Sequence, residues 1–554
     1  WLGIPFASPP LGDLRWRAPQ PVTPWSGTLE ALSHSSMCSQ ILPFAWLKPL
    51  VVFGDEDCLY LNVWTPKLAP TELEAQDLPV MVWIHGGANI LGGSSPADPY
   101  RFAVQENVIV VSIQYRLGLF GWFSHPALRN SAAEELDTTS NFALLDMVAA
   151  LQWVKTGIGG FGGDANNVTI FGQSAGAFDV IALLAAPQAG GLFHKAIAQS
   201  GTLNTVPRAS AENYVDDVQP GLKYSFREYV NKLLVADGRA SDREQAKQVQ
   251  DGMADQALAN YLREKPVKEL FASLERRGNL GYFSATNIRD GIVLPNESML
   301  QVFKDTASYN NVPIILGSNR DEYKFFLSSS KRFVEKRLGL FPKIRDLGDY
   351  NRINAYFSDQ WAAVGVNEPA RVLARSQPGD VYTYRFDWSE QPPRWGASGA
   401  DLYGAAHGIE VVFLFGPDAV SSLPDYARAS NQDSWNELSD AMLAYWANFA
   451  RTGSPSSADE SDAVQWTPWR EDGAGKLLLD SSRGGGIRMS DDAVSIGDIK
   501  RRLAADSEIK TVRERCELYV QLFSLALSSE FWDPGEYAQL GCAEYPPEQF
   551  IGII

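Results

Sequence analysis

Histidine and cysteine are scarce in this chain: five and four respectively among 554 residues. There is no H-E-x-x-H and no CxxC pair, and the histidines are scattered, so neither a metal site nor any other cofactor is expected. No stretch reaches the ~18 uninterrupted apolar residues of a membrane helix. Charged residues make up only 21%, too few for long disordered acidic or basic tails. They are also lopsided. Lys plus Arg is 48 and Asp plus Glu is 66, a net charge of −18. Such a chain repels nucleic-acid backbones and anionic membrane surfaces, and neither is expected as a partner. Gly159-Gly160-Phe161-Gly162-Gly163 is glycine-rich but lacks the GKS/T ending of a phosphate loop. No internal repeat or low-complexity linker is present.

What is present suits a large core: 45% hydrophobic and 11% aromatic residues. The length allows several domains at ~150 residues each, or one large α/β domain with insertions. The pattern favours the second. Pro79–Ile84, Val108–Ile113 and Val168–Phe171 read as buried strands, and Asn141–Lys155 between the last two has helical periodicity. Strands separated by helices imply a mostly parallel sheet. Val312–Gly317 and Val381–Phe386 read as later strands. The stretches 207–280 and 325–375 read as helical. The expectation is one domain over 1–554, with helical insertions at about 207–295 and 325–400.

Phe171-Gly172-Gln173-Ser174-Ala175-Gly176-Ala177 holds G-x-S-x-G directly after a strand and before the helix-like run Ala177–Leu184. That context is what a nucleophile elbow requires. The turn demands small flanking residues and lifts the serine hydroxyl to a helix N-terminus, where developing negative charge is favoured. Acyl transfer through a tetrahedral intermediate also needs pre-aimed N–H donors. Ala175 supplies one. Gly87 and Ala88 of the loop His85-Gly86-Gly87-Ala88-Asn89 supply the others, with Gly86 behind them. His85 precedes the serine, which assigns it to orienting the loop rather than to proton transfer.

A serine nucleophile needs a base and an orienting carboxylate, in the order Ser, acid, His. Only His194 and His407 follow Ser174. The acid belongs on the loop after the strand at 312–317, where Asp321 and Glu322 are adjacent and residue chemistry alone does not choose between them. The four cysteines fall in two local pairs, which favours Cys38–Cys58 and Cys516–Cys542 disulfides and an oxidising compartment. Sequons at Asn167 and Asn296 suit a secreted glycoprotein, weakly. The chain starts at Trp1, so a processed or trimmed chain is expected, with any signal peptide outside it.

Several further runs carry a resemblance. They are Leu2-Gly3-Ile4-Pro5-Phe6-Ala7, Glu56-Asp57-Cys58-Leu59-Tyr60-Leu61-Asn62-Val63-Trp64, Tyr115-Arg116-Leu117-Gly118 and Phe161-Gly162-Gly163-Asp164. With the HGGA loop and the elbow, they make the chain resemble the type-B carboxylesterase/lipase family of cholinesterase-like α/β-hydrolases over nearly its whole length. The resemblance implies a large mostly parallel sheet flanked by helices. It implies Glu322 as the acid, and His407, in Gly404-Ala405-Ala406-His407-Gly408, as the base. It puts Ser200 behind the acid, with Glu410 as a further supporting residue. Gln173 stands where the family most often has Glu, which lowers the expectation of a cationic substrate. The Cys38–Cys58 loop corresponds to a flap or gorge segment, and its apolar residues, Phe44 and Trp46 among them, are candidate substrate contacts.

The leading expectation is a secreted serine carboxylesterase acting on small-molecule hydrophobic esters, as a monomer or homodimer. A lipase, sterol esterase or toxin-detoxifying polyester esterase is the alternative in the same chemistry. A non-catalytic, neuroligin-like adhesion protein is the remote one, and the complete Ser, Glu and His set argues against it.

Overall fold

The computed structural model describes residues 1–41, 51–67, 76–94, 99–274, 287–337, 341–393, 397–416, 419, 430–457, 463–470, 473, 475–524 and 529–550. A ten-stranded sheet runs through it. In chain order its strands are β1 (Ile4–Pro5), β2 (Tyr60–Trp64), β3 (Leu78–Ile84), β4 (Ile109–Ile113), β5 (Gly163–Gln173), β6 (Lys195–Gln199), β7 (Ile314–Asn319), β8 (Val381–Phe386), β9 (Lys476–Leu479) and β10 (Arg488–Ser490). Their spatial order is β1-β2-β4-β3-β5-β6-β7-β8-β9-β10. Every pairing from β4 through β9 is parallel, and the flanking pairings at both ends are antiparallel.

The continuous apolar strands follow from burial on both faces. Along β3, Val80, Val82 and Ile84 enter one core cluster, while Met81 and Trp83 enter the other. The first cluster is covered by helix α1 (Phe142–Gly157) and helix α2 (Ala175–Ala185), the second in part by α5 (Gln432–Thr452). A third cluster gathers C-terminal helices around the Cys516–Cys542 disulfide, and Cys38–Cys58 closes the N-terminal loop.

Three expectations need correction. The 325–375 stretch does form helices, α3 (Leu347–Ala362) and α4 (Glu368–Ser376), joined by a π-helical turn at Ala363–Asn367. It also contains an antiparallel hairpin, Val334–Arg337 against Phe341–Ile344. Glu335, Lys336 and Arg337 give that strand no apolar alternation, so the pattern was silent. The stretch 325–400 is also not an insertion throughout, because β8 of the main sheet lies inside it. The strand expected at 312–317 starts two residues later, at Ile314, since Pro313 has no N–H for the ladder.

Chain order reverses between β4 and β5 on either side of β3, and ligand crevices of parallel sheets form at the carboxyl ends of strands beside such a reversal. The HGGA loop leaves β3 there, and Ser174 leaves β5.

Candidate active site

Ser174 joins β5 to α2 with φ 57° and ψ −125°, a conformation that costs a non-glycine residue about 1–3 kcal/mol. The chain tolerates it because neighbours hold the turn. The Ser174 N–H donates to Gln199 O (2.9 Å), and Ser174 O accepts from the N–H groups of Ala177 and Phe178. Gly176 must lack a side chain, since a Cβ would collide with the Ile84 carbonyl oxygen. A Cβ on Gly86 would lie 3.1 Å from Ser174 Cβ and 2.7 Å from Gln173 O, so the loop after β3 lies directly on the elbow.

That loop carries three consecutive positive φ angles, at Gly87 (117°), Ala88 (55°) and Asn89 (58°). The N–H groups of Gly87, Ala88 and Ala175 donate to no protein acceptor among the described residues. His85 packs beside the loop. Its Nδ1 lies 2.8 Å from Gly86 O, and its ring stacks on Tyr115 at 4.3 Å. Burial pushes its pKa down to about 4, which keeps it neutral.

His407 follows β8, and its Nδ1 lies 2.6 Å from Glu322 Oε2. Glu322 is fully buried on the loop after β7, and its Oε1 accepts from the Asn319 N–H (2.7 Å). Neighbouring Asp321 turns elsewhere, to the Ala405 N–H, Asn354 and Arg320. Of the two adjacent carboxylates, Glu322 is the one in contact with His407. On the other face of the imidazole, Gln173 Nε2 lies 3.3 Å from His407 Nε2. His194 is remote, accepting the Val168 N–H.

The Ser200 hydroxyl lies 3.4 Å from Glu410 Oε1, and its N–H donates to Gly317 O. Glu410 is fully buried and also accepts from Asn319 Nδ2 (2.5 Å). Burial, with the Glu322 charge nearby, pushes its pKa up to about 7. Phe44 and Trp46 lie outside the described residues. Among those residues no group of three or more His, Cys, Asp or Glu could hold a metal ion, and no helix is long and apolar enough to cross a membrane.

Aromatic residues that the sequence did not single out wall the histidine. Trp361, from α3, lies 4.8 Å from the His407 ring and donates Nε1–H to Ser200 O (3.1 Å). Phe326 and Phe325 stand 5.7 and 6.2 Å from the imidazole, and Phe178 approaches Trp361 at 6.4 Å. The Phe325-Phe326 pair directly after the acid loop was the one available signal. Nothing in the sequence brings Trp361 there.

Residues 1–338 and 345–485 match the family model described as the carboxylesterase family. The chain is 33% identical over 504 residues to the para-nitrobenzyl esterase of Bacillus subtilis (strain 168), covering 87% of this chain and 91% of that protein. It is 33% identical over 490 residues to the cocaine esterase of Homo sapiens, covering 82% and 79%. Among solved structures, a PNB esterase aligns with a TM-score of 0.63 at 29% identity over 91% of this chain and 95% of that one. A Geobacillus stearothermophilus carboxylesterase aligns with a TM-score of 0.65 at 26% identity, over 90% and 95%. The match spans nearly the whole sequence and holds in both sequence and fold: the chain belongs to the carboxylesterase family and is a carboxylic ester hydrolase.

Proposed function

We propose that Ser174, His407 and Glu322 are the catalytic triad and that the N–H groups of Gly87, Ala88 and Ala175 form the oxyanion hole. Ser174 Oγ attacks the ester carbonyl carbon as His407 Nε2 takes its proton, and Glu322 stabilises the imidazolium through Nδ1. The tetrahedral oxyanion rests on the three N–H groups. Losing one such donor raises the barrier by about 3 kcal/mol. His407 then protonates the departing alcohol, and water, deprotonated by His407, cleaves the acyl-enzyme to release the acid and regenerate Ser174. The observation that supports this reading is the 2.6 Å His407 Nδ1–Glu322 Oε2 contact, which favours the tautomer protonated at Nδ1 and leaves Nε2 the basic nitrogen.

The substrate class is a small hydrophobic ester, supported by the aromatic wall of Phe178, Phe325, Phe326 and Trp361. The whole chain acts as one catalytic domain, a monomer or homodimer. It is secreted, a reading supported by its two disulfides. Asn296 is exposed and open to a glycan, whereas Asn167 is engaged by Lys195.

Hydrolysis of p-nitrophenyl esters of graded acyl length, wild type beside Ser174→Ala, tests the reading. A maximum at short acyl chains without interfacial activation is expected. A rise toward long chains above their solubility limit would instead make the enzyme lipase-like. Activity surviving in Ser174→Ala would overturn the mechanism.

A further inference from the structure

The proposed oxyanion hole draws its donors from two separate pieces of chain. Gly87 and Ala88 lie on the loop after β3, and Ala175 opens helix α2. Donors on independent elements hold a fixed spacing only if something ties those elements together. A polar network beneath the hole does this. Asn89, the residue after Ala88, is fully buried, and its Nδ2 donates to Asp179 Oδ1 (3.1 Å). Asp179 lies four residues after Ala175 in α2, hence on the same helix face one turn on.

Asn89 is fixed from two other sides. Its backbone oxygen accepts the Gly118 N–H (2.6 Å), and the Tyr115 hydroxyl lies 3.3 Å from its Oδ1 while donating to His85 O (2.6 Å). The left-handed run from Gly87 to Asn89 is strained at its two non-glycine positions, and such strain persists only where surroundings over-determine it. Asn287 Nδ2 also donates to Asp179 Oδ1 (3.0 Å), and Trp122 Nε1 donates to Asn287 Oδ1 (3.2 Å). Asp179 Oδ2 has no partner among the described residues, although the side chain is fully buried.

A carboxylate sealed in this way is a poor choice for stability, because its charge is desolvated and half its acceptor capacity is unused. Burial pushes its pKa up to about 7 even against two amide donors. A fully apolar cluster would pack there at lower cost than Asp179 with its two amide donors, so the network calls for a role.

We propose that Asp179 and Asn89 are positioning residues for the reaction: their hydrogen bond ties the Gly87–Ala88 loop to the Ala175 helix and sets the width of the oxyanion hole. The inference rests on the oxyanion-hole reading above. Neither side chain touches substrate. They act through the three N–H groups, so their loss weakens binding of the tetrahedral intermediate and leaves ground-state binding alone.

The test uses the full chain with p-nitrophenyl acetate, active sites counted by a phosphonate burst. It compares Asp179→Ala, Asn89→Ala, the double variant and Asp179→Asn. The expected result is a kcat per titrated site reduced about 10- to 100-fold in each alanine variant, with KM within about twofold. The affinity of a trifluoromethyl ketone, whose serine adduct places an oxyanion in the hole, falls by the same factor. The double variant is no worse than the poorer single one, because both remove one tie. Asp179→Asn, whose Oδ1 still accepts both amides, returns kcat to within about threefold of wild type.

Unchanged kcat per site in Asp179→Ala, or singles that multiply in the double variant, would overturn the proposal. So would an Asp179→Asn variant as slow as Asp179→Ala. Should Asp179→Ala fail to fold, Asn89→Ser with Asp179→Asn carries the same comparison. A wild type that titrates no sites with the phosphonate would sink the Ser174 assignment instead, a separate failure.

Discussion

Gln173 Nε2 lies 3.3 Å from His407 Nε2, so the residue before the candidate nucleophile touches the nitrogen that must accept its proton. An amide donor there suits a neutral imidazole and offers no charge to an imidazolium. In Gln173→Glu a carboxylate would face the same nitrogen and favour the protonated ring. The base works only when deprotonated, so the acid limb of kcat/KM should move to higher pH, by roughly one unit. A pH–rate profile of the variant beside wild type checks this, and an unmoved limb would count against the contact.

Replacing Glu322 by Gln keeps the shape but removes the charge that faces His407 Nδ1. The imidazole loses its fixed tautomer and its stabilised cation, and kcat should fall by about 10⁴ with KM little changed. Asp321→Asn should leave kcat within a fewfold, since that side chain faces away. Steady-state kinetics of the two variants side by side decides the acid.

Glu410 gives a stability prediction with a definite sign. Its pKa in the folded chain is raised to about 7, above the unfolded value of 4.5. Between those pH values the folded state therefore binds more protons than the unfolded one, and wild type loses stability as pH rises. Glu410→Gln removes that dependence. Its melting temperature relative to wild type should climb from pH 4.5 to 7 and level off above, for a gain on the order of 3 kcal/mol at most. A difference that stays flat across that window would refute the assignment.

Trp361 and Phe326 should govern acyl preference rather than chemistry. Trp361→Ala removes the face nearest His407 and the Nε1–H bond to Ser200 O. KM should rise most for the longer p-nitrophenyl esters and least for the acetate, at about 1–3 kcal/mol for the lost apolar contact. A chain-length profile of kcat/KM reads this directly.

The Cys516–Cys542 bridge lies in the C-terminal cluster and joins two positions far along the chain from Ser174, Glu322 and His407. Cys516→Ala with Cys542→Ala should cost about 3 kcal/mol of stability, read from denaturant unfolding, and leave kcat intact. A fall in kcat per titrated site would show that the cluster reaches the active site.

Local pattern in the sequence sufficed where function depends on a short run of chain. The strands at 79–84 and 381–386, the elbow around Ser174 and the HGGA loop were all legible, because continuous apolar runs and small residues at tight turns are sequence-local signals. The hairpin at 334–344 escaped because its charged strand lacks alternation. The contact between Ser200 and Glu410 escaped because the two lie 210 residues apart and only the fold brings them together. Trp361 escaped for a third reason: only the packing of α3 against the segment after β6 brings it to His407. Asp179 reads as one polar residue in a helical run until Asn89 and Asn287 converge on it.

The parallel order of β3 through β8 has a kinetic side. Gln173 and His407 meet across a sequence separation of 234, and β7 and β8 must dock before Glu322 and His407 can face each other. Non-local parallel pairing forms slowly, because loop-closure entropy is lost before contacts repay it. During refolding, helical circular dichroism should therefore recover well ahead of reactivity toward a phosphonate. The enzyme carries its own clock: an active-site label marks only those chains whose assembly is complete.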